Sequence, residues 1–519
     1  MSCAIRALAL LAAPGLLLAQ SPDELFERGM EQARQGRYSE ARQSFADGRR
    51  AASDQTRFWV EGAGVAYRLE RMGEAQHLLR RALRREPGDE YARKFLGTLY
   101  LLDGNVEATL AIWQPLGKPR IAQVETPAGL RTDRVLLDRA IAFAPAEQLS
   151  LEQWRTTERR LDHLDVFSPP RLDLAAEGGA FTARLRMAER NGFGPGRWAA
   201  LLQAARALPY QAIRLDYANI GGRAANVRSL LRWDPHKSRA WAEYAKPLRG
   251  EPSLRGRLFV DARDEDWRLL YGSPRSLRMR SARAGVGFSA TVGGRLSWGG
   301  ELAWTYRDFD QSQVDARLLS GPGVRADVFA DWALWRAPAR RIRVDARSRA
   351  RLGRVWDSAS GRYARFEQHV DLEWIPVRKG DTWRVEAELA AGATKGAAPF
   401  DELFILGVER DNDLWLRGIP GARDGRKGAA PLGDRFWLLN LGFDRRLFRY
   451  GFLETRLGPF FDTGRITDSR GPLGAPKTLM TAGLALRLRV LGVAGVTLFF
   501  GRDLRQGGTH WYSYTEPRR

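Results

Sequence analysis

Few residues in this chain of 519 are equipped to make or break bonds. The five histidines, His77, His163, His236, His369 and His510, are scattered, no two at metal-ligand spacing, and the one cysteine, Cys3, lies in an apolar leader. A zinc or redox centre therefore has no ligand set. No G-x-S-x-G elbow or phosphate-cradling glycine loop stands out, and Gly221-Gly222 reads as a turn. His369, between Glu367 and Asp371 on one strand face, reads as a buffered residue rather than a catalyst. The expectation is a protein that is not an enzyme and carries no cofactor or metal. What remains is electrostatic. Leu416-Arg417-Gly418-Ile419 places a guanidinium in a Gly-rich loop, and Phe460-Phe461-Asp462-Thr463-Gly464 places a carboxylate on a strand downstream. The chemistry open to such a pair is a buried ion pair, which fixes a position rather than transforming a substrate.

The elements that must position this pair begin with the leader. Arg6, the run Ala7 to Ala13, then Leu16-Leu17-Leu18-Ala19 describe a secretory signal peptide over residues 1–20. The apolar run is shorter than the ~20 residues a membrane-spanning helix requires. With 44% hydrophobic and 28% charged residues the chain is not disordered as a whole, and its length allows several domains. The net charge of +22 would suggest nucleic acid. Export argues against that partner, because the arginines are spread along the chain rather than gathered in a basic tail; water, a polar lumen or anionic lipid headgroups can face them.

Residues 21–118 have helical periodicity that repeats. Ala41, Ala75 and Ala108 recur at spacings of 34 and 33 residues, each after a Gly-containing turn. Gly29, Ala63 and Gly97 fall where paired helices approach closely, and Ala82 and Pro87 fall in a second helix and at its end. The segment resembles about three tetratricopeptide repeats, which implies a groove for peptide; a spacer or stalk is the competing use. Residues 119–191 change pattern: a strand at 121–124, helices at 134–142 and 151–164, then period-two strands at 171–175 and 181–187. This order resembles a single POTRA domain, whose open strand edge can receive a client strand.

From 192 to 519 strand alternation takes over. Ile342, Val344, Ala346, Ser348 and Ala350 alternate with Arg341, Arg343, Asp345, Arg347, Arg349 and Arg351; Phe366, Val370, Leu372 and Trp374 oppose Arg365, Glu367, His369, Asp371 and Glu373. Trp332, Trp335, Trp374, Trp383 and Trp437 sit near strand ends. With an export signal, that pattern predicts a transmembrane β-barrel, apolar outside and polar inside.

Leu215-Asp216-Tyr217-Ala218-Asn219-Ile220-Gly221-Gly222 with Arg232-Trp233-Asp234-Pro235 resembles the first hairpin of the Omp85 family of outer-membrane assembly and translocation proteins. The resemblance continues through Gly458 to Gly464, Ala482 to Leu488 and Phe499 to Leu504. It implies a multidomain protein: N-terminal α-helical tetratricopeptide-like repeats, a small α+β POTRA domain and a C-terminal 16-stranded transmembrane antiparallel β-barrel. In that family a loop folds into the lumen with an arginine-glycine motif, which Leu416-Arg417-Gly418-Ile419 matches. If Leu453, Thr455, Leu457, Pro459 and Phe461 face lipid, then Glu454, Arg456, Gly458, Phe460 and Asp462 face the lumen, so Asp462 is on the side to meet Arg417. Arg417, Gly418, Asp462 and Gly464 are the expected loop lock, with Gly458 leaving room for the loop. Gly442 stands where a second acid is found in some members, and Asp444, Glu454 and Arg456 are possible luminal partners. The seam between first and last strands, with Tyr217, Asn219, Trp511 and Tyr514, is where the wall would part. The resemblance implies unfolded outer-membrane or secreted client polypeptides as partners, with periplasmic or lipoprotein partners and outer-membrane lipids beside them, and no nucleic acid. A dedicated two-partner secretion pore and a passive porin tethered by its repeats are the alternatives.

Overall fold

The computed structural model describes residues 21–168, 171–177, 180–193, 210–272, 275–310, 317–356, 361–451, 453–490 and 494–516. The leader, on which the signal-peptide reading falls, lies outside them. Two units follow, one ending at Leu102 and one beginning at Asp103. The first holds helices α1 (Pro22–Arg34), α2 (Tyr38–Ala51), α3 (Arg57–Arg68), α4 (Met72–Arg85) and α5 (Glu90–Leu102). Ser21 and Glu24 close a capping box around Pro22, so the first turn has its orphan amides satisfied. The small residue Gly29 is required by packing: a Cβ there would lie 2.7 Å from the Phe45 ring. Leu25, Phe45, Phe58 and Val65 form the core of this unit.

The second unit opens with α6 (Val106–Trp113) and a small α+β module: β1 (Ile121–Glu125), α7 (Arg134–Ala140), α8 (Leu151–Leu164), β2 (Arg171–Glu177) and β3 (Ala180–Arg186). β3 is central, parallel to β1 and antiparallel to β2, which leaves β1 and β2 as edges. Trp154, Leu161 and Leu164 of α8 are buried with Ile121, Leu174 and Leu185 of the sheet.

The rest is a closed barrel. Its wall begins with β4 (Ala212–Ile220), β5 (Ala225–Asp234), β6 (Lys237–Pro247), β7 (Leu254–Leu269) and β8 (Arg275–Val292). It continues with β9 (Leu296–Phe309), β10 (Gly321–Ala337), β11 (Ile342–Val355), β12 (Arg362–Trp374) and β13 (Trp383–Gly396). A loop over 397–434 carries the short pieces β14 (Phe404–Ile405), β15 (Ala422–Arg423), β16 (Arg426–Lys427) and β17 (Leu432–Gly433). Then come β18 (Arg435–Tyr450), β19 (Leu453–Thr467), β20 (Leu479–Val490), β21 (Ala494–Asp503) and β22 (Thr509–Glu516), the last lying beside β4. β13 pairs directly with β18, so the loop is left out of the wall. Among the described residues ten wall strands precede the loop and five follow it, and β15 and β16 bring the sheet to seventeen members. The resemblance implies sixteen; residues 194–209, ahead of β4, lie outside the described ones.

Alternation sorts the wall. Leu258, Val260, Val286, Phe288, Leu302 and Trp304 project outward and exposed, while Asp261, Arg325, Asp327 and Glu367 turn inward and are buried. A band of large exposed apolar side chains on this scale is not a water-facing surface. No helix among the described residues is long and apolar enough to cross a membrane; the apolar belt belongs to strands. On β19, Leu457 and Pro459 are exposed and Arg456, Phe460 and Asp462 buried. Thr455 departs from the expected outward parity: it is buried, beside the bulge between Arg446 and Phe448. Gly458 departs too, for a Cβ there would strike the Phe443 carbonyl of the next strand rather than the loop, so its smallness serves the wall.

Candidate functional site

The loop between β13 and β18 has a core of its own. Phe404, Leu406, Leu414, Leu416 and Ile419 pack against Phe436, Leu438, Ile466 and Leu479 of the wall. β14 pairs with β17, and Asn412 donates to the carbonyls of Ile405 (2.8 Å), Gly407 (2.7 Å) and Leu414 (3.1 Å), closing the turn that carries Arg417. The loop is thus a folded object docked on the barrel's inner surface.

Arg417 meets Asp462. Its Nη2 donates to Oδ1 at 2.5 Å, its Nε lies 3.0 Å from Oδ2, and its backbone amide donates to the same Oδ2 at 2.7 Å. Asp462 is fully buried, and the guanidinium also donates to the Leu441 carbonyl at 2.9 Å and stacks 4.3 Å over the Phe460 ring. Gly418 lies so close to the wall that a Cβ would sit 2.8 Å from Thr481, and across from it one at Gly501 would sit 2.2 Å from the Arg417 carbonyl. Gly464 abuts the Trp437 carbonyl and Leu406 of the loop in the same way. The position opposite Arg417 on β18 is open, as Gly442 predicts: a Cβ there would stand 3.7 Å from Nη1.

Asp444, Glu454 and Arg456 do not join this pair among the described residues. Arg456 Nε donates to Asp444 at 2.6 Å, and its Nη1 lies 3.0 Å from Asp381 and 3.6 Å from Glu454. Asp444 also bonds Arg487, whose Nη2 reaches Glu386 at 2.8 Å. They form a separate cluster on the wall.

Two further anchors are absent from the reading of the sequence. Glu402 enters a nest of arginines from four successive strands: Arg307 at 3.2 Å, Arg351 at 2.5 Å, and Arg325 and Arg365 at 3.8 Å, with Tyr363 donating at 2.9 Å. Its neighbour Asp401 accepts from Arg307 Nε at 2.7 Å. On the other side Asp411 takes Arg232 and Arg239, each at 2.8 Å, and Lys427 at 3.3 Å; Lys427 also meets Glu265 at 2.6 Å, and Glu409 lies 3.5 Å from Lys237. The loop is therefore tied to β5 through β7, to β9 through β12 and to β19. The signal that marks these anchors is like charge in cross-strand register: Arg232, Arg239 and Arg263 are successive partners across three strands, and Arg351 faces Arg365. Such rows are unfavourable without acids beside them; Asp261, Asp327 and Glu367 of the wall supply part, and Asp411 and Glu402 add the loop's share. The sequence shows the arginines but not their register.

The loop also touches the last strand and the residue that leads into the first. Arg410 donates to the Tyr210 carbonyl at 3.0 Å, just ahead of β4, and Trp415 packs edge-on to Tyr514 (4.7 Å) and Tyr512 (6.1 Å) of β22. Tyr210 Oη and Ser513 Oγ bridge the two strands at 3.0 Å. Trp511 points the other way and is 71% exposed, and Tyr217 is exposed against Phe193 at 4.9 Å. Asn219 sits elsewhere than beside the last strand. Buried, with φ 56°, it donates to Thr132, Glu189 and Asn191 and so ties the end of β4 to the α+β module.

No protein-family model matches the chain, and no curated protein matches it in sequence. Solved structures resemble it in fold. CdiB from Escherichia coli is 13% identical with a TM-score of 0.53, covering 76% of this chain and 75% of its own. CdiB from Acinetobacter baumannii (12%, TM-score 0.47, 84% and 81%) and BamA from Haemophilus ducreyi lacking POTRA domains 1–3 (13%, TM-score 0.45, 77% and 84%) are more distant. The chain shares the barrel fold of the E. coli structure.

Proposed function

We propose that this protein is an outer-membrane barrel that inserts or translocates client polypeptides. In this reading the sixteen-stranded wall of the Omp85 resemblance stands in the membrane, and the tetratricopeptide-like (21–118) and POTRA-like (119–191) segments receive unfolded clients in the periplasm, alongside any lipoprotein partners. The observation that carries the reading is the loop's simultaneous grip on the inner wall, on the last strand and on the residue that leads into the first. A passive pore has no use for a lumen filled from three directions, whereas a machine that parts its wall needs the filling coupled to the seam. Edge strands β1 and β2 support a role in pairing with extended chain. β22 spans eight residues against sixteen in β18 and so offers fewer ladder bonds to hold the seam.

Single-channel recording of the reconstituted protein tests this: the expected result is a closed or flickering pore that becomes a steady, wide one when residues 397–434 are removed. Steady wide conductance in the intact protein would assign a porin instead. Depletion in cells then separates insertion, in which many outer-membrane proteins are lost, from dedicated secretion, in which one partner is lost.

A further inference from the structure

One face of the helical unit carries side chains that its own packing leaves unused. Phe26 of α1 meets Phe58 of α3 at 5.5 Å and Tyr67 of α3 meets Phe95 of α5 at 5.7 Å, so these three helices stand side by side. Helix α2 packs on α1 and α3, and α4 on α3 and α5, as a second layer. The buried side of α3 holds Phe58, Gly62, Val65 and Ala66, whereas Glu61, Gly64 and Tyr67, three residues apart, lie on its other side. Gly29, Gly48 and Gly62 are small because Phe45, Phe58 and Arg49 occupy the space that a Cβ would take. At Gly64 a Cβ would meet nothing within 4 Å. Glycine in a helix interior is less favourable than alanine, and no described side chain calls for it here. Glu61 is half-buried yet has no hydrogen bond or ion pair among the described residues; burial pushes its carboxyl above the ordinary value, and no described cation opposes this. Beside it the rings are open: Tyr91, 64% exposed, stands 6.2 Å from Phe95, and Tyr67 is exposed as well.

We infer that this face binds a segment of client polypeptide in which a lysine or arginine lies among aromatic or aliphatic residues. Its free capacity is one carboxylate and three rings. The carboxylate accepts from an ammonium or guanidinium, and the rings of Tyr67, Tyr91 and Phe95 take apolar side chains. Gly64, between Glu61 and Tyr67, lets the incoming backbone lie against α3. A segment with a neutral or acidic residue at that point leaves Glu61 desolvated and uncompensated, so charge complementarity selects among apolar segments rather than accepting all of them. The inference rests on the functional reading above only in calling the ligand a client; the chemistry of the face does not depend on it.

The test uses the purified full-length protein in detergent and an array of nonapeptides whose central residue is lysine, glutamine or glutamate and whose flanks are phenylalanine, leucine or serine. Affinities of the strongest binders are then measured by fluorescence anisotropy. Lysine-centred peptides with phenylalanine or leucine flanks are expected to bind at least about tenfold more tightly than their glutamine or glutamate counterparts. Glu61→Gln should erase that difference while keeping the preference for apolar flanks, and Glu61→Lys should turn it toward glutamate. Gly64→Leu should abolish binding of every peptide; leucine favours a helix over glycine, so that loss is not a loss of fold. Tyr91→Ser should weaken the peptides with apolar flanks several-fold, and Arg81→Gln, on the exposed side of α4, should leave all of them unchanged. No binding, equal binding of lysine- and glutamate-centred peptides, or indifference to both Glu61→Gln and Gly64→Leu overturns the proposal. So does self-association of the chain that Gly64→Leu abolishes, which assigns the face to a second copy. Peptide selectivity that holds while depletion removes no outer-membrane or secreted protein leaves the site standing and fails the client reading; loss of those proteins with no peptide binding does the reverse.

Discussion

Arg417 and Asp462 stand for the residues whose value lies in being unable to dissociate. Both are buried, and the carboxylate serves the guanidinium and the Arg417 amide together. Removing one partner leaves a buried charge uncompensated, at a cost of about 3–5 kcal/mol. Asp462→Ala should therefore lower the free energy of urea unfolding by that order, while Arg417→Met/Asp462→Leu should recover part of it. The charge swap Arg417→Asp/Asp462→Arg should recover less, because the Arg417 amide then has no acceptor; complete recovery would mean that the amide contact is immaterial. That Asp462 faces inward was legible because β19 keeps strict two-residue alternation around it. Glu402 and Asp411 were not legible, since their partners Arg232, Arg239, Arg307, Arg325 and Arg351 become neighbours only through the strand register, which is non-local.

At the scale of elements the loop behaves as a small folded body with three anchors, so no single substitution should release it. Arg417→Ala alone should leave residues 397–434 resistant to protease added to purified protein, and Arg417→Ala/Glu402→Gln/Asp411→Asn should expose them. Cleavage in the single variant would show that the other anchors do not hold. The junction of module and barrel carries a pH signature. Burial pushes the Glu189 carboxyl up, but bonds from Asn191, Thr132 and the amides of Arg131 and Thr132 outweigh it and hold it below its ordinary value. A lowered value contributes stability that is present above the unfolded titration and lost as pH falls through the folded one. Spin-label distances between module and barrel should stay constant from neutrality to about pH 5 and broaden below about pH 4; Glu189→Gln should remove that dependence. Helix α8 and the order of β1, β2 and β3 follow the residue pattern, with Ser150 and Gln153 closing the cap that starts α8. The docking of Asn219 on the module did not, because its partners Thr132 and Glu189 lie 87 and 30 residues away.

For the whole molecule, the barrel was legible as a class because an apolar face and a charged face alternate over many strands. Its closure between first and last strands was implied by the family resemblance and not by alternation itself, since the seam depends on how β4 and β22 meet. The loop touches both sides of that seam through Arg410 and Trp415, which joins filling of the lumen to integrity of the wall. The measurement that bears most directly on this coupling places cysteines at Tyr210 and Ser513, whose side chains meet at 3.0 Å, and joins them in cells with a bis-methanethiosulfonate of tyrosine length, which forms a disulfide with each thiol, releases methanesulfinate and is cleaved again by a reductant. Appearance of new outer-membrane or secreted proteins should stop when the seam is bridged and resume when the reagent is cleaved; unchanged appearance with the bridge fully formed would contradict a wall that parts to pass its client.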